Sequence, residues 1–240
     1  MNEASLRLNN TFQNVGKEQG FDHVTADFHP FKEFKASWER SDQDVVFHVT
    51  DYLSQADEEI MSDFAHCLFR RVREHHCALY TDRMRQWMRS PSFVERNRPI
   101  YVQRSRNLLR TARGRFIDLN ESYSRLLSQG LLSELPSTYI SWTRTPNHQR
   151  MGYCSALMRV AVVSSSLDRE DIPSYVSDYV LYHELLHVHF GLRSTGRYHD
   201  QEFRRMERSF PQWRESEQWL KRISTGGRGG RHKLDYRRAP

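Results

Sequence analysis

Apolar and polar positions change period several times along the 240 residues, and each change predicts an element. Val45-Val46-Phe47-His48-Val49 is β-branched and aromatic, hence a strand, closed into a turn by Asp51 and Ser54. Ser54 and Asp57 are spaced as a capping box, and Ile60, Phe64, Leu68 and Val72 then recur every fourth residue, giving one apolar helical stripe through about His76. Pro91 and Pro99 interrupt the next stretch, after which Ile100 to Ala112 reads as a helix ended by Gly114. Phe116 to Leu127 predicts another helix, with Gly130 just past its end. From Thr138 the period falls to two: Thr138 to Trp142, Met151 to Cys154 and Arg159 to Val163 read as short antiparallel strands. A helix follows from about Tyr175 to His189, ended by Gly191. Residues 1–20, polar and rich in Asn and Gln, predict a poorly ordered arm; Phe21, Phe28, Phe31 and Phe34 around His29-Pro30 predict an irregular packed segment.

The pattern is that of an α+β protein, long enough to bury a core. Three cysteines (Cys67, Cys77, Cys154) without CxxC spacing argue against a disulfide framework or a zinc ribbon, and for a reducing cytoplasm. Met1 to Asn10 has no apolar stretch and Arg159 breaks the run Ala156 to Val163, so neither a signal peptide nor a membrane span is expected.

Charge is segregated. Residues 1–66 carry 5 basic and 13 acidic side chains, residues 67–115 carry 13 and 3, residues 116–220 carry 11 and 13, and residues 221–240 carry 7 and 1. The basic middle is arginine rather than lysine: Arg96, Arg98, Arg104, Arg106, Arg110, Arg113 and Arg115 follow Trp87 in a stretch that also holds Tyr101. Guanidinium forks suit phosphate and the aromatic faces suit bases, which makes these arginines candidates for nucleic-acid contact; pairing with the acidic head is the competing use. The end, with Gly226-Gly227-Arg228-Gly229-Gly230-Arg231, has RGG-like composition and is expected to be a disordered basic tail able to cling to nucleic acid.

The chemistry concentrates in His183-Glu184-Leu185-Leu186-His187. Positions i and i+4 share a helix face, so both imidazoles can aim at one tetrahedral metal, while Glu184 is displaced from that axis and suits a general base acting on water. Catalytic zinc takes three protein ligands and one open position. His189 points to another face, and Arg193 occupies the position where the metzincin spacing needs histidine. Glu207 and His199 remain as alternatives. His66, His75, His76 and Cys77 do not converge by spacing on a second ion, adjacent side chains pointing in different directions.

At this point the chain resembles the SprT-like zinc metallopeptidases and related small bacterial metallopeptidases. The matching residues are Phe116 to Leu132, Arg150-Met151-Gly152-Tyr153-Cys154, Val176 to His187, and His199-Asp200-Gln201-Glu202-Phe203 with Pro211 and Trp219. The resemblance implies a zincin-like domain with a small antiparallel sheet on the metal helix, one Zn²⁺ held by His183, His187 and His199, and Glu184 as the catalytic base. Phe203 then anchors the ligand helix, Asp200 or Glu202 orients imidazoles, and Tyr198 and Arg197 are oxyanion candidates. An edge strand beside the site could align an extended peptide through main-chain hydrogen bonds. Family members that act on DNA-protein crosslinks often carry a further Cys/His zinc module, and no cysteine follows Cys154.

The expected organisation is an α+β region at 1–80, an arginine-rich helical segment at 81–115, the peptidase domain at 116–223 and a basic tail at 224–240. The expected function is a cytoplasmic zinc endopeptidase for protein or peptide substrates, with DNA-bound or crosslinked proteins as a substrate class and nucleoid association as the location that class would bring. Alternatives are a regulatory peptidase that recognises one partner through the N-terminal region, and a non-catalytic zinc protein that binds nucleic acid; the intact Glu184 weighs against the last.

Overall fold

The computed structural model describes residues 2–74, 80–192 and 199–226. His75, His76 and Cys77, the oxyanion candidates Arg197 and Tyr198, and residues 227–240 of the expected tail lie outside them. The chain forms two compact units that divide between Asn97 and Arg98, inside the stretch 81–115 expected as a separate segment.

The first unit opens with α1 (Glu3–Glu18), followed by β1 (His23–His29), β2 (Ala36–Ser41), β3 (Asp44–Thr50), a 3-10 turn (Asp51–Leu53), α2 (Glu58–Arg73) and α3 (Asp82–Arg89). The arm expected at 1–20 is therefore a helix. Polar composition hid a sparse stripe of Leu8, Phe12 and Val15, which is buried, and Asn2 caps the helix by accepting from Ser5 N. The segment around His29-Pro30 is likewise ordered: β1 alternates, burying Val24 and Ala26. Phe12, Phe47 and Phe69 meet where α1, β3 and α2 converge, with ring centroids 5.0–6.4 Å apart. Asp57, rather than Ser54, caps α2, accepting from Ile60 N at 2.8 Å.

α4 (Pro91–Arg104) crosses the division. Pro91 is its first residue, where a missing N–H costs nothing, and Pro99 lies inside it without ending it. The helix expected over Ile100 to Ala112 stops at Arg104; Arg110 takes positive φ, and Leu108 and Arg113 pair locally instead with Thr143 and Asp118.

The second unit continues with α5 (Leu119–Ser128), β4 (Tyr139–Trp142), β5 (Gly152–Ser155), β6 (Val160–Val163), a 3-10 turn (Ser165–Leu167), α6 (Ser174–Phe190), α7 (Gln201–Glu207) and α8 (Trp213–Gly226). Asp118 caps α5, accepting from Asn120 N. The sheet is mixed rather than antiparallel, in order β4-β6-β5: β4 runs parallel to β6 and β5 antiparallel to it. Alternating polarity encodes the faces of a strand but not its direction, so sequence could not distinguish the two. α6 lies on β5 and β6 and is buried almost all round, from Val176 to Leu186 without interruption. α8 runs through Ser224, which is buried, so the helix extends past the expected start of the tail. The same strand plan occurs in the first sheet, order β1-β3-β2, with β1 parallel and β2 antiparallel to β3.

Candidate active site

α6 delivers the central residues. Its burial is unusual for a helix carrying charge: His183 and Glu184 are 2% and 4% exposed. Such groups must be paired or ligated to be tolerated. Gly191 ends the helix at φ 63°, and after residues 193–198 the chain returns His199 immediately before α7, whose N-cap Asp200 accepts from Phe203 N at 2.9 Å. One ligand nitrogen from each of His183, His187 and His199 lies within 4.8 Å of the others. His183 Nε2 and His199 Nε2 are 3.4 Å apart. Two nitrogens bound tetrahedrally at roughly 2.0–2.1 Å are separated by about 3.3–3.4 Å, so this pair already has the spacing a zinc ion requires. Phe203 is fully buried beneath the cluster, its ring 5.2, 4.8 and 4.6 Å from the imidazoles of His183, His187 and His199. One apolar side chain thus supports all three rings.

The far nitrogen of His183 decides the part played by Glu207. Nδ1 lies 2.6 Å from Glu207 Oε1. A proton on Nδ1 donated to that carboxylate leaves the Nε2 lone pair facing the other imidazoles, so Glu207 is placed to orient a ligand rather than to be one. Tyr179 OH donates to Glu217 Oε1 at 2.7 Å and lies 3.4 Å from Glu207 Oε1. Burial alone would lower the His183 pKa; the Glu207 hydrogen bond and the charges of Glu184, Glu207 and Glu217 outweigh it and raise the value above 6.5. Burial in turn pushes Glu207 up, but the His183 hydrogen bond and the charges of His183 and His199 prevail, holding it below 4.5.

Glu184 faces the edge strand. A Cβ built on Gly152 of β5 would come within 2.6 Å of Glu184 Oε1 and 2.8 Å of Val180 Cγ1, so only glycine lets β5 approach the carboxylate this closely. Further from the cluster, Asp178 on α6 binds Arg125 of α5 through two contacts of 2.9 Å. That hydrogen bond raises the Arg125 pKa, against the opposing effect of burial.

Residues 121–223 match the family model of the YgjP-like metallopeptidase domain. The match is consistent with the SprT-like resemblance and spans every residue gathered in the cluster. No curated protein and no solved structure matches the chain. A match to a metallopeptidase family model supports a hydrolase and implies a divalent metal, typically zinc, and His183, His187 and His199 are the group able to hold one among the described residues.

Other candidates fall elsewhere. Glu202 is exposed on α7, His189 is exposed on α6, and Asp200 serves as the α7 cap. Glu207 and Tyr179 were not legible as an orienting pair, because their partners are set by how α6, α7 and α8 pack; helical spacing from Glu207 offers no such signal. Of the arginines, Arg96 lies in the first unit, while Arg98 donates to Ser137 O and Oγ in the second. Arg104 is part-buried on α4; Arg106, Arg110, Arg113 and Arg115 are exposed between α4 and α5, with the Arg115 guanidinium over the Phe116 ring. Among the described residues no helix is long and apolar enough to cross a membrane.

Proposed function

We propose that the YgjP-like metallopeptidase domain is a zinc endopeptidase in which His183, His187 and His199 hold the ion and Glu184 is the general base. The observation that carries this reading is the buried Glu184 beside three convergent imidazoles, a combination a purely structural metal site has no use for. Bound zinc supplies Lewis acidity and brings the pKa of water to about 7. Glu184 takes the proton of the attacking water and returns it to the leaving amine. Glu207 keeps His183 in the tautomer that offers Nε2. β5, the outer strand of its sheet and the one against Glu184, aligns an extended substrate through main-chain hydrogen bonds. The test is cleavage of casein by the zinc-loaded chain and by Glu184→Gln: loss of cleavage with zinc content unchanged is expected, and equal activity in both overturns the assignment.

DNA-associated proteins are the substrate class we favour. Supporting this, none of Arg106, Arg110, Arg113 and Arg115 forms an ion pair with a carboxylate among the described residues, which leaves their charge for an anionic partner. Histone cleavage should be stimulated by DNA and the stimulation should fall with salt; cleavage indifferent to DNA refutes it.

A further inference from the structure

Two tyrosines of α6 tie the metal helix to the elements that follow it. Tyr175, Tyr179, Tyr182 and His183 are spaced by three and four residues, so they share one face of the helix. Tyr182, fully buried, donates to Met206 O near the end of α7 at 2.7 Å. Tyr179, also buried, donates from the same face to Glu217 Oε1 of α8 at 2.7 Å. A stripe of its own holds α8 in place: Ser216, Leu220 and Ser224 recur every fourth residue and are buried, and Ser216 Oγ donates to Tyr175 O at 3.5 Å. Between α7 and α8, the Phe210 ring packs 5.5 Å from Tyr179 and 5.8 Å from Tyr182. Glu207, the residue after Met206, is therefore held beside both tyrosine anchors.

One oxygen of Glu207 is contested. Oε1 lies 2.6 Å from His183 Nδ1 and 3.4 Å from the Tyr179 hydroxyl. A phenol carries a single proton, and the 2.7 Å contact commits it to Glu217, because O–H···O bonds are normally about 2.5–3.0 Å long and 3.4 Å is beyond that range. Glu207 Oε1 is thereby left to the imidazole N–H. Without an acceptor on Glu217 the hydroxyl would turn to Glu207 Oε1, and a carboxylate oxygen shared between two donors polarises the imidazole less. A histidine whose far nitrogen is bound to a carboxylate is the more basic metal ligand, so the loss would be felt at Nε2. Glu217 thus acts at two removes from the ligand.

We propose that Glu217 is a positioning residue for the metal site: by holding the Tyr179 proton it reserves Glu207 Oε1 for His183, so that α8 sets the strength of a ligand carried by α6. This rests on His183 being a metal ligand, as in the proposed function. Zinc affinity of the full chain, measured by chelator competition, tests it. Glu217→Leu removes the acceptor and should weaken zinc about three- to tenfold, less than the loss of about 10–100-fold that follows removal of a partner bonded directly to the ligand. Glu217→Gln keeps a carbonyl oxygen for the hydroxyl and should retain most of the affinity. Tyr179→Phe keeps the buried ring and loses the competing proton, so it should bind zinc nearly as wild type and restore affinity when combined with Glu217→Leu. The visible absorption of the Co²⁺-loaded chain should shift in Glu217→Leu and return in the double variant. The melting temperature of the metal-free chain should not be restored with it; parallel recovery of both would mean that the pair serves the fold alone and overturns the proposal. Additive losses in the double variant overturn it too, as do equal losses in Glu217→Gln and Glu217→Leu, which make the charge and not the hydroxyl the cause. Unchanged affinity in Glu217→Leu overturns it when His183→Ala has lost zinc. Should His183→Ala bind zinc as tightly as wild type, the ligand assignment itself is refuted, and this inference with it.

Discussion

α2 and α6 follow the third strand and a 3-10 turn in their respective units, yet they bury different chemistry. α2 is amphipathic: Ile60, Phe64, Leu68 and Phe69 face the core while Arg70 and Arg73 meet solvent. α6 is enclosed, with His183, Glu184 and Asp178 among its buried residues. With Ser62-Asp63-Phe64 set against Ser177-Asp178-Tyr179, the positions of His183, Glu184 and His187 are taken by Leu68, Phe69 and Val72. The comparison teaches that the strand plan carries no chemistry of its own. A polar set on the enclosed helix requires partners from other elements, supplied by Arg125 of α5, Glu207 of α7 and Glu217 of α8, whereas the matching positions of α2 are apolar and need none.

The sharpest break of this contrast is a pair of substitutions at matching positions. Glu184→Gln should lower turnover by about 10²–10⁴-fold while melting temperature and zinc content hold. Phe69→Ala should cost about 3–5 kcal/mol of stability, read by denaturant unfolding, with activity per folded molecule retained. A loss of turnover from Phe69→Ala at full folding would mean that the first unit contributes to the chemistry. Glu207→Gln should weaken zinc about 10–100-fold in a chelator competition. It should also destabilise the metal-free chain in a pH-dependent way. His183 is raised above 6.5, so its contribution is complete below 6.5 and fades as pH rises through the folded value; Glu207 is lowered below 4.5, so its contribution is complete above 4.5 and fades as pH falls. The penalty should therefore be greatest between 4.5 and 6.5. Gly152→Ala places a methyl against Glu184 and Val180 and should cost about 1–3 kcal/mol of stability with a further loss of turnover. The equivalent edge in the first unit, β2, has no such neighbour.

The elements with strong local signals were legible. β3, α2, β6 and α6 follow from β-branched runs or four-residue repeats, and the imidazole pair of His183 and His187 from helix geometry alone. α1 was missed because three apolar residues in a polar context suffice once β1 and α2 cover them, and β1 because His29-Pro30 disguised an alternating strand. The direction of β4, the continuation of α4 through Pro99 and the orienting role of Glu207 depend on contacts between segments distant in sequence, which spacing does not encode.

The smallest effects separate the two aspartates. Asp178 is held by two guanidinium contacts from Arg125 with its side chain 10% exposed, whereas Asp63 of α2 meets Arg83 at 3.3 Å with side chains 19% and 51% exposed. Removing a partner from the enclosed pair strands a charge that water reaches poorly, and Arg125→Gln should cost about 2 kcal/mol. Arg83→Gln leaves Asp63 with the Thr81 hydroxyl and access to solvent, so about 0–1 kcal/mol is expected. Salt discriminates further: about 0.5 M NaCl should erase the Arg83 effect and leave most of the Arg125 effect, because screening acts on exposed charges first. Equal penalties in both units would show that α6 is no more enclosed than α2, and its requirement for partners from neighbouring helices would lose its physical basis.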